Sequence, residues 1–295
     1  HYPPSQHHPN VLLTLSTRSQ PNPGLQPHNK IHPLQLPPPF LLPHYPKIHS
    51  HRSDLLPTTT FTTNGSHLEQ MAPALKAAGV TRINISVDSL NRDTFRQMTR
   101  TGDLDQVLRG IEAARAQCFK TLRLNAVILK GRNDHEILDL LHYAMALGIN
   151  IAYIEEMPLG EVSDHDRLET TCSNDEVRAV IEARHKLTPV TMKTAGPSRY
   201  YRIEGSDSRV GFISPVSHNF CESCNRVRVT VEGRLLLCLG NEHSVDLRQL
   251  LREQPGNEQA LMDTIRTAMD IKPLRHHFYD KDAPQVVRFM NMTGG

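Results

Sequence analysis

From Leu56 onward, short β-branched or alternating runs are followed by stretches whose apolar positions recur every three or four residues, the order of strands and helices. Residues 58–63 form a β-branched run that stops at Asn64-Gly65, a turn signal. A helix is predicted over 67–78, with Leu68, Met71, Leu75 and Ala78 at helical spacing and Gly79 as its stop. A strand over 82–87 runs into Asp88-Ser89, and helices follow over 93–98 and 104–117. The strand over 121–129 sets Leu122, Leu124, Ala126 and Ile128 on one face. A loop at 130–133, a helix over 134–147 closed by Gly148, and a strand over 150–155 complete the series. Such a repeated β-loop-α unit predicts a parallel sheet or barrel. Thr62, Asn64, Ser86, Asp88, Lys130, Glu155 and Met157 fall at or just past the carboxyl ends of the strands, where a barrel carries its active site. Singly, Asn64, Asp88 and Lys130 read as caps or turn residues. Their shared placement is the stronger signal.

After Pro158 the pattern loosens into a polar loop over 159–171, a helix over 174–184, short strands over 199–203 and 209–214, and helices over 246–251 and 258–269. Between these strands and helices lies FCESCNRVRVTVEGRLLLCL, residues 220–239, with three of the five cysteines of the chain: Cys221, Cys224 and Cys238. A C-x-x-C pair is a chelating knuckle, and a third cysteine beyond a hairpin-like segment can close over the same site. Thiolates suit iron–sulfur clusters or zinc. A structural zinc site takes four protein ligands. Three cysteines on a [4Fe-4S] cluster leave one iron free for a substrate, whereas His218 or His243 could complete a zinc site. The stretch alone leaves the metal open. Arg226, Arg228 and Thr230 alternate with Val227, Val229 and Val231, so a strand would put the first three on one face. Two guanidiniums there form either a fork for a phosphate or base edge, or a solvated surface.

Composition divides the chain. Residues 1–53 hold no Asp or Glu but carry 12 of the 21 prolines and 8 of the 17 histidines. This segment, 1–56 in all, has no periodic apolar face and reads as disordered or polyproline-like, not as a signal peptide. Its histidines are more simply part of that composition than a metal site. A net charge of +2 gives no argument for nucleic acid or a membrane surface, and no apolar run reaches the roughly 18 residues of a span. Cysteine usage favours a reducing compartment, and a cytoplasmic location is expected.

TTNG at 62–65, INISVDSL at 83–90, LNAVILKGRND at 124–134, YIEEMPLG at 153–160, the cysteine stretch with NRVRVT, and the final Gly294-Gly295 together resemble the GTP 3′,8-cyclases of molybdenum cofactor (molybdopterin) biosynthesis. These are radical S-adenosylmethionine (SAM) lyases. The resemblance covers 57–295. It implies an α/β fold: an incomplete (βα) TIM-like barrel over 57–158, then a C-terminal α+β region over 159–295 carrying an iron–sulfur site and GTP. By matching positions, Cys221, Cys224 and Cys238 would ligate a C-terminal [4Fe-4S] cluster whose open iron faces the guanine. Thr62, Arg123, Asn225, Arg226 and Arg228 would hold GTP, Ser86 and Met157 would contact SAM, and the tail glycines Gly294 and Gly295 would reach into the site. Arg123 stands where the family has lysine, and Ala152 where some members have arginine. The implied reaction is radical cyclisation of GTP to (8S)-3′,8-cyclo-7,8-dihydroguanosine 5′-triphosphate. The implied partners are GTP, SAM, an electron donor and a second copy in a homodimer.

One departure is large. The family's other [4Fe-4S] cluster needs C-x-x-x-C-x-x-C, and no cysteine here precedes Cys118. The glycine-rich SAM segment after that motif is also missing. We expect a fragment, a wrong start or a shifted frame joined to a genuine C-terminal portion, impaired in radical chemistry. Two rival readings follow: a non-catalytic iron–sulfur nucleotide-binding module, and a zinc-bound structural domain.

Overall fold

A computed structural model describes residues 12–16, 58–159, 166–190, 196–224, 226–230, 232–273 and 276. Strand β2, Thr58–Thr63, is followed by helix α1, Leu68–Ala77, and strand β3, Arg82–Ser86. Helices α2, Arg92–Thr99, and α3, Leu104–Ala116, lead to strand β4, Thr121–Val127. A single 3-10 turn, Asp134–Glu136, opens helix α4, Ile137–Ala146, before strand β5, Asn150–Ile154. These four strands pair in parallel and in chain order. Right-handed crossovers between sequential neighbours put every linking helix on the same side of the sheet. The far side is thereby left without helices, as the inside of a barrel is.

The predicted alternation decides which side chains go where. Ile83, Ile85, Leu122, Leu124, Ala126, Ile151 and Tyr153 are buried on the helix side, within one apolar core shared with Leu68, Ile111 and Leu140. Gly65 turns β2 into α1 at a φ of 79°, and a Cβ there would stand 2.8 Å from Val107 Cγ1. A residue with a side chain would therefore be both strained and crowded in this turn.

The polar loop expected over 159–171 contains a short helix α5, Arg167–Thr170. Helix α6, Asn174–Glu182, starts with a capping box between Ser173 and Glu176. Three strands extend the sheet: β6, Leu187–Pro189, β7, Arg199–Ile203, and β8, Arg209–Ile213. Strand β8 joins β5 in parallel, then β7 and β6 follow antiparallel. The result is an α/β fold with a parallel sheet, consistent with a partial barrel. At the opposite edge, β1, Leu12–Ser16, pairs antiparallel with β2. The segment 1–56 was expected to lack a fold, and this strand is the part of it that the structure describes. LLTLS has the β-forming alternation for the task, and β2 offers it an otherwise open edge.

A second, three-stranded sheet forms from β9, Arg228–Val229, β10, Arg234–Leu236, and β11, Ser244–Asp246. It packs with helices α7, Leu247–Glu253, and α8, Glu258–Asp270, around Leu235, Leu237, Leu247 and Leu261. Of the strand expected over 226–231, Arg228 and Val229 are the described residues with ladder partners. No helix among the described residues is long and apolar enough to cross a membrane.

Candidate functional site

The helix-free face of the large sheet is polar, and strand register arranges it in rows. Thr62 aligns with Asn84, and Asn84 with Arg123. One row toward the carboxyl ends, Ser86 aligns with Asn125, Asn125 with Ala152, Ala152 with Gly211, and Gly211 with Tyr200. One row the other way, Thr60 aligns with Arg82 and Arg82 with Thr121. Thr62 and Arg123, assigned to one ligand by position, thus share a row. Ser86 stands one row beyond them.

Few of these polar groups satisfy one another. Asn84 Nδ2 donates to Thr62 Oγ1 at 3.1 Å, and Arg123 Nη1 donates to the Tyr200 hydroxyl at 2.6 Å. Arg82 Nε, Arg123 Nε, Asn125 Oδ1 and Ser198 Oγ are buried without a hydrogen-bond partner. Buried polar groups are normally paired, so a cluster of unpaired ones on a single face marks a place for a polar ligand. Sequence reasoning missed Arg82, Asn84, Asn125, Ser198 and Tyr200. Alternation places the first three on this face, but the register that groups them with Thr62 and Arg123 is non-local. Tyr200 meets Arg123 across the two intervening strands, whose positions in its own row are the small residues Ala152 and Gly211. A Cβ at Gly211 would run into Ser198 Oγ and lie 3.0 Å from Tyr200 Cε1.

At the strand ends, several residues serve the fold. Asn64 Oδ1 accepts from Ser66 N in a turn. Lys130 Nζ lies 2.7 Å from Glu176. That lysine, with the capping contacts of Ser173, pulls the Glu176 carboxyl down to about 2. Asn133 ties the ends of β3 and β4 together, donating to Asp88 O at 2.6 Å and Val127 O at 2.8 Å. The Asp88 carboxyl accepts from Val127 N at 2.8 Å, yet its burial raises it to about 6. Glu155 is buried and accepts from Asn174 N, Val216 N and Ser217 N at 2.9, 3.1 and 2.9 Å, and also from the Ser217 hydroxyl. It fixes the start of the loop that leads to the cysteines. Met157 is half-buried just beyond β5, and its carbonyl accepts from Leu159 N at 2.8 Å.

Cys221 opens a short 3-10 turn, and Cys224 N donates to its carbonyl at 3.0 Å. Cys238 follows two residues after β10. Its approach is held by Lys272 Nζ, which donates to Leu237 O at 2.6 Å. All three thiols are free and half-buried. Burial pushes the Cys221 thiol up, and the neighbouring sulfurs of Cys238 and Cys224 push it further, against a bond from the His276 backbone. At Cys224, burial acts upward too, but the backbone N–H and guanidinium of Arg226, with Lys272, leave the thiol below its ordinary value. Burial lowers Arg228 to about 10, with Arg226 adding to the shift and Cys224 and Cys238 opposing it, so it stays cationic at neutral pH.

Within 226–230 the alternation is inverted. Arg226, Arg228 and Thr230 are half-buried, whereas Val227 is 37% and Val229 58% exposed. The cationic face points inward beside the sulfurs, and Arg226 lies 5.1 Å from the centre of the Phe220 ring.

Among the described residues, no three His, Cys, Asp or Glu side chains form a group that could hold a single metal ion. His218 Nε2 is 2.8 Å from Asp175 Oδ2, and His243 Nδ1 contacts Asn241 Oδ1. A cubane gives each cysteine its own iron, so its thiolates stand further apart than the ligands of one zinc. Three soft thiols, with the cations Arg226 and Lys272 beside Cys224, have the donor chemistry that such a cluster takes. Asn225, Gly294 and Gly295 lie outside the described residues.

Comparison with known proteins agrees with this layout. Residues 38–144 match the Radical SAM superfamily, and residues 149–278 match Molybdenum Cofactor Synthesis C. Fold and matches together define a radical SAM lyase of molybdenum cofactor biosynthesis. A GTP 3′,8-cyclase of Marinobacter nauticus is 57% identical over 234 residues, 79% of this chain and 71% of the relative. One from Pseudomonas putida is 57% identical over 235 residues, 79% and 70%. A GTP 3′,8-cyclase 2 of Pseudomonas aeruginosa is 56% identical over 234 residues, 79% and 71%. The chain belongs to the GTP 3′,8-cyclase family.

Proposed function

We propose that this chain binds GTP between the polar face of its sheet and a [4Fe-4S] cluster on Cys221, Cys224 and Cys238. GTP as substrate and SAM as cofactor follow from the family. The inward-facing Arg226 and Arg228 beside three neighbouring thiols are the observation that carries the reading. When bound, the cluster supplies an iron without a protein ligand, open to a guanine atom. Arg226 lowers Cys224 toward the thiolate that a metal requires. Arg226 and Arg228 offer donors to the nucleotide, and Arg228 does so from a desolvated position where a charge-assisted bond is strong. Thr62 and Arg123 hold GTP from the sheet. Asn225 joins the GTP set, and Gly294 and Gly295 approach it from the tail. Ser86 and Met157 take SAM at the carboxyl end of the same face, next to the unpaired Asn125 oxygen.

The domains in this reading are a barrel portion over 57–158 and a cluster- and GTP-binding region over 159–295. Self-association and the electron donor rest on family grounds alone, and a cytoplasmic location on cysteine usage. The residues for the other cluster do not fit: the cysteines of this sequence begin at Cys118, so no C-x-x-x-C-x-x-C is present to ligate it. No SAM-cleaving step is assigned to this chain. That favours a second reading, a protein that binds GTP without cyclising it.

Deoxyadenosine formation from SAM with a strong reductant separates the two. None is expected from this chain alone, and its formation would restore the full activity. Anaerobic reconstitution tests the cluster: about four irons and four sulfides per chain are expected, and one zinc without sulfide would overturn the reading.

A further inference from the structure

We propose that Arg82 is a further GTP-binding residue, forming with Arg123 a pair of guanidiniums that receives the phosphate tail. The inference rests on the GTP reading above and extends it to the deep end of the helix-free face. Arg82 pairs in register with Thr121, two residues before Arg123 on the same strand, so the two arginines are diagonal neighbours on one face. Diagonal partners on adjacent strands lie within reach of long side chains.

Neither arginine has a carboxylate partner among the described residues. Arg82 Nε and Arg123 Nε are both buried and unbonded, and the Arg123 guanidinium donates instead to the hydroxyl of Tyr200. The surrounding rows carry Thr60, Thr62, Asn84, Ser86, Thr121, Asn125, Ala152, Gly211 and Tyr200, none of them acidic. Asp88 stands beyond Ser86, with its carboxyl on the Val127 amide. Two half-buried guanidiniums, each with a buried and unpaired Nε and no counter-charge beside it, favour an anion with several oxygens. Guanidiniums match phosphate oxygens in pairs, and the hydroxyls of Thr60 and Thr62 add donors in the same two rows. Tyr200 is a positioning residue here: its hydroxyl fixes the plane of the Arg123 fork.

Isothermal titration of the full chain with inorganic triphosphate, GTP and GMP tests the pair. Arg82→Gln should weaken triphosphate and GTP by about tenfold or more and leave GMP nearly unchanged, with Arg82→Lys in between. The unliganded Arg82→Gln protein should melt above the parent, since an uncompensated cation has been removed. Equal triphosphate affinity in parent and variant would overturn the proposal. So would equal losses for GMP and GTP, or a lower melting temperature for the unliganded variant. Triphosphate binding that depends on Arg82, in a chain that ignores guanine, would keep the pair and reject the GTP reading.

Discussion

The Glu155 carboxylate, at the end of β5, accepts the backbone N–H of Ser217 at 2.9 Å and so fastens the barrel sheet to the loop that carries Cys221 and Cys224. Asn174 N and Val216 N meet the same carboxylate, at 2.9 and 3.1 Å. Changing Glu155 to Ala leaves the buried Asn174 N and the part-buried amides of Val216 and Ser217 without this acceptor. A loss of about 2–4 kcal/mol in urea unfolding is expected, with poorer iron uptake because the cysteine loop loses its anchor. Unchanged stability would show that water replaces the carboxylate.

Asp88 gives the protein a pH signature. Its folded carboxyl titrates near 6, against 3.8 for the free group, because burial outweighs the Val127 bond. The folded state therefore holds a proton that the unfolded chain has already released. This contribution to stability is present at about pH 4, falls as pH rises to about 6, and is absent above. Asp88→Asn keeps the acceptor oxygen for Val127 N. It should be more stable than the parent by on the order of 2 kcal/mol near pH 7 and equal to it near pH 4. Chemical denaturation at the two pH values measures this.

Tyr200 and Gly211 act as a unit. Gly211→Ala should push the Tyr200 ring off Arg123 and weaken GTP binding by about tenfold, with Tyr200→Phe doing the same through loss of the hydroxyl. Equilibrium binding of GTP to both variants tests the link, and wild-type affinity in both would break it.

At the cluster, Cys224→Ser should abolish iron incorporation. Arg226→Ala should retain iron but bind GTP more weakly by about tenfold or more, as expected when a charge-assisted bond is lost. Iron analysis and GTP titration of the same preparations distinguish these effects.

Much of this was legible in the chain. Alternation in 82–86 and 121–127 told which side chains enter the core, because each strand has one helix-covered face. The cysteine spacing singled out the three thiols on which the proposed cluster rests. Less legible was the direction of the 226–230 alternation: an apolar-inward rule would bury Val227 and Val229, yet the arginines turn in. The inner side there holds the charges of Cys224 and Cys238 beside Arg228 and not an apolar core. Arg82, Asn84 and Tyr200 gain meaning only from register between strands far apart in sequence. Glu155 was visible as a strand-end carboxylate, but its partners at Val216 and Ser217 lie about sixty residues on, beyond any local pattern.

The most direct test is the electron paramagnetic resonance spectrum of the anaerobically reconstituted, reduced full chain, recorded with and without GTP. A [4Fe-4S] signal that shifts on adding GTP but not ATP is predicted by the proposal that guanine meets an iron without a cysteine ligand. A bound zinc with no iron signal, or a cluster spectrum indifferent to GTP, would contradict the account.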